Sequence, residues 1–142
     1  FAHTPDGLAE VLRSVRISSP ESRVILVFGC GGDRDKMKRP IMGEIAVSLA
    51  DVVIVTSDNP RSEDPEAIMS SITAGIPDHM RHRLLSTDVD RRRAIQRAVS
   101  VARDGDVVLI AGKGHEVSQT IGTESYPFDD RTVALEMLRS IA

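Results

Sequence analysis

Three continuous apolar runs recur along the chain, and a cluster of polar residues follows each of them. The runs with their polar clusters occupy residues 24–36, 52–61 and 107–116. Uninterrupted runs of Val, Ile and Leu are typical of parallel strands that helices cover on both faces. Ligands of an open parallel sheet bind beyond the carboxyl ends of its strands. We therefore expect the three clusters to form one site, and their mixed charge suits a small ligand with both carboxylate and ammonium groups.

The segments between these runs have the spacing of amphipathic helices or the signals of turns. Leu8, Val11, Leu12 and Val15, for example, fall on one helical stripe. The pattern predicts helices over residues 6–16, 40–50, 65–74 and 88–103, and a final helix capped by Asp129 or Asp130. It predicts strands over 23–28, 51–56, 82–86 and 106–110, and a hairpin or an irregular excursion over 117–126. This alternation predicts one α/β domain over residues 1–142. Its sheet is Rossmann-like, doubly wound and mostly parallel, with helices on both faces and a late hairpin.

Composition narrows the classes of function. The 142 residues are 41% hydrophobic and 27% charged, as in a soluble globular protein. With no Trp, one Tyr and three Phe, the chain is not expected to form a platform that stacks nucleic-acid bases. The net charge is -3, and the main basic cluster, Arg91 to Arg93 with Arg97, is interpreted as a solvated helix face. We therefore expect no nucleic-acid partner.

The single cysteine and the short apolar runs favour a cytoplasmic protein. Cys30 cannot form an internal disulfide, and it is interpreted as structural because no base partner is evident. No apolar run approaches the roughly 20 residues that span a bilayer, and no signal peptide opens the chain, so no membrane contact is expected. His79 and His82 are interpreted as surface residues, and no metal site is predicted.

Two glycine-containing loops match cofactor motifs only in part. Residues 29–32 follow a strand but lack the third glycine of a dinucleotide fingerprint, so a stand-alone NAD-binding module remains an alternative. The glycines are expected to turn the backbone sharply and expose its N–H groups. Residues 112–115 lack the first glycine and the Ser or Thr of a phosphate loop. The chain alone is therefore not expected to bind and split a nucleoside triphosphate.

Four segments together point to a family. Residues 1–6 (FAHTPD), 29–40 (GCGGDRDKMKRP), 58–61 (DNPR) and 112–116 (GKGHE) resemble the carboxy-terminal, amino-acid-binding domain of the Mur ligases over essentially the whole chain. The resemblance implies ATP-dependent attachment of an amino acid to a UDP-N-acetylmuramoyl dipeptide. It also implies that ATP and Mg²⁺ are bound mainly by a central domain, which carries the phosphate loop. The chain then looks like an excised domain, inactive without the other domains of its ligase.

The resemblance also assigns roles to individual residues. The form of residues 58–61 resembles the branch that adds meso-diaminopimelate, with a lysine-adding ligase as the alternative. The implied amino-acid contacts are Arg34, Asn59 and Arg61 to the distal carboxylate, and the Gly112 carbonyl and Glu116 carboxylate to the distal ammonium. Asp58 would shape the loop or reach an ammonium, and Pro60 is counted with the same substrate-binding loop. The implied nucleotide or acyl-phosphate contacts are His3, Lys36, Lys38, Lys113 and His115. No catalytic residue is assigned to this domain alone.

Overall fold

The computed structural model describes residues 2–113 and 116–141. Within these residues, five α-helices and one 3₁₀ helix accompany a four-stranded sheet and a two-stranded hairpin. The helices are α1 (Pro5–Ser18), α2 (Lys38–Leu49), α3 (Pro65–Thr73), α4 (Arg91–Val101), α5 (Asp130–Ile141) and the 3₁₀ helix Asp78–Arg83. The strands are β1 (Val24–Phe28), β2 (Val52–Thr56), β3 (Leu84–Asp88), β4 (Val107–Ile110), β5 (Ser118–Ile121) and β6 (Glu124–Pro127).

The larger sheet is parallel and has the strand order β3-β2-β1-β4. The chain moves outward from β1 to β2 and β3, and then returns to place β4 on the other side of β1. The order therefore reverses between β1 and β4, and a crevice opens at such a switch point beyond the carboxyl ends of the strands. Strands β5 and β6 form the separate antiparallel hairpin. This arrangement confirms the predicted doubly wound sheet with a late hairpin.

Helices cover both faces of this sheet, because alternate residues of the buried strands point to opposite sides. On one face, Leu26 and Phe28 pack in a cluster with residues of α1, α2 and α3. On the other face, Ile25 and Val27 pack with residues of α4 and α5. All five residues of β1 are at most 1% exposed, which explains its uninterrupted apolar sequence. Among residues 2–113 and 116–141, no helix combines the length and apolar character needed to cross a bilayer.

Three predicted boundaries were wrong by a few residues, each for a local reason. Helix α2 begins at Lys38 instead of residue 40, because the first-turn N–H groups of a helix need no intrahelical partner and Pro40 is tolerated there. Helix α4 begins at Arg91, because the Asp90 side chain caps it by accepting from the Arg93 N–H. The 3₁₀ helix occupies residues 78–83, so β3 starts at Leu84.

Candidate functional site

A pocket of about 320 Å³ lies beyond the carboxyl ends of β1, β2 and β4. This volume is at the small end of the range of about 300–1,000 Å³ for ligand pockets, and it suits a ligand the size of an amino acid. Its walls carry both signs of charge. The lining residues are His3, Gly31, Arg34, Lys38, Asp58, Asn59, Arg61 and Glu116.

Two arginines lie on the same side of this pocket, on either side of Gly31. A Cβ atom built on Gly31 would lie 3.0 Å from Arg61 Nη1 and 3.6 Å from Arg34 Cγ. Arg61 Nη1 donates to the Gly32 carbonyl at 2.9 Å, which anchors one edge of its guanidinium. Arg34 is exposed and Arg61 is half-buried. The loops after β1 and β2 therefore place two arginines in the lining of one pocket, and Arg34 Nη1 donates to the Asp33 carbonyl at 3.1 Å. Arginine is the side chain best suited to bidentate binding of a carboxylate.

Carboxylates and an amide form the remaining polar part of the pocket. Asp58 is 3% exposed, and its Oδ2 lies 4.0 Å from His3 Nδ1. Asp58 Oδ1 is buried without a hydrogen-bond partner among the described residues. Asn59 Nδ2 donates to Glu116 Oε1 at 3.3 Å. This side of the pocket is rich in acceptors, so it favours a cationic group such as an ammonium.

The glycine loop after β1 bends at Gly32, as expected, and its glycines also permit two loops to approach closely. The Gly32 N–H is bonded within the protein, contrary to the prediction that it is exposed to a ligand. A Cβ on Gly29 would lie 2.1 Å from the Thr56 carbonyl oxygen, and one on Gly32 only 1.8 Å from that of Pro60. Neither glycine has a positive φ, and the Gly32 N–H donates to the Asn59 carbonyl at 2.7 Å. The positive φ values fall on Asp33 (56°) and Arg61 (52°) instead. The glycines thus allow the loops after β1 and β2 to touch, which brings Arg34 to Arg61.

An ion pair that the sequence analysis missed ties these two loops together. Arg39 of α2 is 1% exposed, and its two Nη atoms donate to Glu63 Oε1 and Oε2 at 2.8 and 2.9 Å. Arg39 Nη2 also donates to the Gly31 carbonyl at 3.0 Å. The Asp33 carboxylate, whose pKa is lowered by the hydroxyl of Ser62, accepts from that hydroxyl at 2.7 Å. Hydrogen bonding to Arg39 lowers the pKa of Glu63 to about 2.

This pair gives the stability of the domain a specific pH dependence. Because the pKa of Glu63 is lower in the folded state than the ordinary 4.5, its contribution is complete above that value and is lost as the pH falls towards 2. Glu63→Gln should lower the free energy of unfolding at pH 7 by about 2 kcal/mol, the scale of a hydrogen bond to a charged group. The measurement is urea unfolding between pH 7 and 2. The stability of the variant should fall less steeply between pH 5 and 2 than that of the wild type.

The matched control removes the same charge from Glu21, an exposed residue between α1 and β1. Glu21→Gln should keep the pH dependence of the wild type. Equal slopes for Glu63→Gln and the wild type would contradict the role of the Arg39–Glu63 pair.

Arg91 corrects the interpretation of the arginine cluster as a solvated face. It is 1% exposed and pairs with Asp130 of α5 through bonds of 2.8 and 2.6 Å. It also donates to the carbonyls of Ser57 (2.9 Å) and Ala111 (3.3 Å), which begin the loops after β2 and β4. Arg91 therefore fixes the spacing of two strand ends below the pocket. Arg92 and Arg93 are exposed at the side chain, and they agree with the original interpretation.

The β5–β6 hairpin holds the loop after β2 from outside. The Arg61 N–H donates to the Thr120 carbonyl at 3.1 Å, and the Gly122 N–H donates to the Arg61 carbonyl at 2.6 Å. Gln119 Nε2 donates to the Asp58 carbonyl at 2.8 Å. These bonds account for the left-handed backbone at Arg61. The segment after β4 therefore contributes to the site, because its hairpin holds the loop that carries Asp58 and Arg61.

The structure brings together seven of the twelve residues predicted from the sequence. His3, Arg34, Lys38, Asp58, Asn59, Arg61 and Glu116 all line the pocket. Pro60 is buried behind it, and Gly112, with a φ of 110°, adjoins Asp58. Lys36 is exposed outside the lining, Lys113 is buried beside it, and His115 lies outside the described residues.

Cys30, His79 and His82, which were not assigned to the site, lie where the sequence analysis expected them. Cys30 is buried with its Sγ 3.7 Å from Met42 Sδ, and burial raises the pKa of this thiol to about 11. It is therefore protonated at neutral pH and unsuited to act as a nucleophile. His79 and His82 are exposed, as predicted.

The described residues do not by themselves fit an ATP–Mg²⁺ site. The Lys113 ammonium is enclosed by protein acceptors and cannot reach a phosphate as the lysine of a phosphate loop does. Within residues 2–113 and 116–141, no three His, Cys, Asp or Glu side chains are grouped to hold a metal ion. A dinucleotide arrangement is also absent from these residues, because the segment 29–37 separates β1 from α2.

The fold and the pocket together define an α/β domain with a pocket of mixed charge at the switch point of a parallel sheet. Residues 1–114 match the family model described as "Mur ligase, glutamate ligase domain". The chain therefore belongs to the Mur ligase family.

Its relatives agree with this assignment. The chain is 53% identical over 139 residues to the UDP-N-acetylmuramoyl-L-alanyl-D-glutamate--2,6-diaminopimelate ligase of Syntrophomonas wolfei subsp. wolfei, covering 98% of this chain and 28% of that ligase. It is 54% identical over 138 residues to the ligase of the same name from Gloeobacter violaceus, covering 97% of this chain and 27% of that ligase. The chain thus spans little more than a quarter of the length of these relatives.

Solved structures show the same fold. A structure of a UDP-N-acetylmuramoyl-L-alanyl-D-glutamate--2,6-diaminopimelate ligase superposes with a TM-score of 0.91 at 44% identity, over 99% of this chain and 28% of that chain. The UDP-N-acetylmuramate-alanine ligase MurC of Thermotoga maritima superposes with a TM-score of 0.51 at 14% identity, over 99% of this chain and 25% of that chain. At that identity, the second likeness shows the fold alone.

Proposed function

We propose that this chain is the amino-acid-binding domain of a cytoplasmic, ATP-dependent ligase that adds meso-diaminopimelate to UDP-N-acetylmuramoyl-L-alanyl-D-glutamate. The observation that carries the proposal is the position of Arg34 and Arg61 in one pocket with Glu116 and Asp58. The distal end of meso-diaminopimelate bears a carboxylate and an ammonium. Arg34, Asn59 and Arg61 would bind the carboxylate, with the Asn59 NH₂ as a donor. Glu116 and the Gly112 carbonyl would accept hydrogen bonds from the ammonium.

This division of charge explains how the site would select its amino acid. Lysine carries the distal ammonium but no distal carboxylate, so Arg34 and Arg61 would face no acceptor when lysine is bound. A polar site rejects an analogue that leaves its groups unpaired far more strongly than an apolar site rejects one with a missing methylene. The pocket therefore favours meso-diaminopimelate over the lysine alternative. The reactive amine, at the other end of the ligand, would be held outside this charged pocket.

Other parts of such a ligase are proposed to hold ATP, Mg²⁺ and the UDP-linked acceptor, because the described residues do not fit the nucleotide and its metal. ATP supplies the energy for amide formation in such a ligase. His3 and Lys38 line the pocket, so they are the residues of this chain best placed to meet a phosphate or an acceptor carboxylate. Closure of the other domains over this pocket would exclude water from the reaction.

The direct test measures binding to the 142-residue chain by calorimetry, with meso-diaminopimelate, L-lysine and NAD as separate ligands. We expect meso-diaminopimelate to bind and L-lysine to bind at least about a thousand-fold more weakly, since the charge-assisted hydrogen bonds to the distal carboxylate are lost. NAD should give no heat. The chain should also show no ATPase activity. Equal affinity for the two amino acids, or steady ATP hydrolysis by the chain alone, would contradict the proposal.

A further inference from the structure

Lys113, in the loop after β4, has a buried ammonium that touches groups from three parts of the site. The side chain is 0% exposed. Its Nζ donates to Asn59 Oδ1 at 3.0 Å and to the Ser118 carbonyl at 2.7 Å. It lies 3.5 Å from Asp58 Oδ1 and 3.8 Å from Glu116 Oε1. Burial lowers the pKa of Lys113, and the negative charge of Asp58 opposes that effect.

These contacts determine which way the Asn59 carboxamide points. Asn59 Oδ1 accepts from Lys113 Nζ and also from the Thr120 N–H, at 2.9 Å. An ammonium and a backbone N–H can only donate, so the reversed carboxamide would place its own NH₂ against two donors. Lys113 and Thr120 therefore keep the oxygen inward. The NH₂ group is left facing Glu116 and the pocket.

We propose that Lys113 is a positioning residue that fixes the Asn59 carboxamide with its NH₂ towards the ligand and fastens the β5–β6 hairpin to the loop that carries Asn59 and Arg61. This role rests on the proposed function, in which Asn59 donates to a ligand carboxylate. It replaces the sequence-based assignment of Lys113 to a nucleotide or acyl-phosphate contact. Lys113 is not among the residues that line the pocket, so its ammonium would act through its neighbours.

The kinetic test compares Lys113→Gln with Gln119→Ala in the ligase that contains this chain. Lys113→Gln removes the cation that directs the Asn59 carboxamide. Gln119→Ala removes a different hairpin contact, to the Asp58 carbonyl, and keeps both donors to Asn59 Oδ1. We expect Lys113→Gln to raise KM for meso-diaminopimelate by at least about ten-fold, the scale of one misdirected hydrogen bond, with unchanged kcat and unchanged KM for ATP. Gln119→Ala should raise KM for meso-diaminopimelate by a clearly smaller factor.

The other kinetic outcomes overturn the proposal. A fall in kcat with an unchanged KM for meso-diaminopimelate would mean that Lys113 acts on the reacting phosphate or acyl group. Unchanged kinetics, or equal effects of the two variants, would mean that Lys113 does not direct the carboxamide.

A measurement on the unmodified chain keeps the proposal falsifiable if Lys113→Gln does not fold. With Asn59 Oδ1 facing the Thr120 N–H, the Asn59 NH₂ protons should show no strong nuclear Overhauser contact to the Thr120 amide proton. A strong contact would mean that the carboxamide is reversed, and it would overturn the proposal. If the expected pattern is seen while the chain fails to bind meso-diaminopimelate, the proposed function fails and the positioning of Asn59 stands. The two failures are therefore distinguishable.

Discussion

Replacing Arg61 by alanine is expected to lower the preference for meso-diaminopimelate over lysine by about a thousand-fold, if the guanidinium contributes two charge-assisted hydrogen bonds of about 1.5–3 kcal/mol each. The loss should fall on kcat/KM for meso-diaminopimelate. The value for lysine should change little, because lysine offers no carboxylate to this side chain. Steady-state kinetics of the ligase that contains this chain, with both amino acids, measure the ratio.

Two further variants separate recognition from loop structure. Arg61→Lys keeps the positive charge but loses the planar fork, so it should recover only part of the preference. Arg92→Ala removes an exposed arginine of α4 and should leave the ratio as it is. Arg61 Nη1 also donates to the Gly32 carbonyl. A loss of preference could therefore have another cause, namely a disordered loop after β1. Equal losses for both amino acids after Arg61→Ala would favour that explanation and contradict selection by Arg61.

The second large effect is expected on stability, from Arg91. Arg91→Met would leave the buried Asp130 carboxylate without its cation, and breaking a buried ion pair in this way costs about 3–5 kcal/mol. It would also remove the donors to the Ser57 and Ala111 carbonyls. Urea unfolding at neutral pH, followed by circular dichroism, gives the free energy. Adding Asp130→Asn to Arg91→Met should restore part of the loss, because the second change removes the unpaired charge.

Arg93→Met is the matched control for Arg91→Met. Arg93 lies on the same helix and pairs with Asp88, but its side chain is 68% exposed. Exposed pairs contribute about 0–1 kcal/mol, so this variant should remain close to the wild type. Similar losses for Arg91→Met and Arg93→Met would show that the buried pair has no special importance.

The sequence predicted the sheet and the convergence of its loops because both depend on short-range patterns. Apolar runs mark the strands of the parallel sheet, and polar clusters at their carboxyl ends must meet at one edge. The two buried arginines were missed although the helical spacing contains them. Arg91 precedes Ala94, Ile95, Ala98 and Val99 on the buried stripe of α4, and Arg39 precedes Met42, Gly43 and Ala46 on that of α2. A charged residue on an apolar stripe predicts a buried ion pair. The sequence of the helix does not identify the partner, because the partner lies on a different element.

The surroundings of Lys113 could not be predicted in the same way. Its burial depends on how the β5–β6 hairpin packs on the loop after β2, and that contact joins segments with no shared periodicity. The glycines of residues 29–32 were expected to turn the backbone, but their close contacts with the next loop were not predicted. Their sequence resembles a turn, whereas the need for them comes from the carbonyls of Thr56 and Pro60 on a neighbouring loop.

The positive φ of Arg61 limits how the specificity of this domain can change during evolution or design. A left-handed conformation costs a residue with a Cβ atom about 1–2 kcal/mol, and it costs Val, Ile or Thr more, whereas Gly and Asn adopt it readily. Among substitutions that remove the Arg61 guanidinium, Asn and Gly therefore carry the smallest cost in backbone energy. Side chains that would complement a new ligand well are disfavoured here when they branch at Cβ. Because hydrogen bonds to Thr120 and Gly122 hold the main chain of Arg61, the backbone conformation restricts which residues are tolerated here, whatever the ligand.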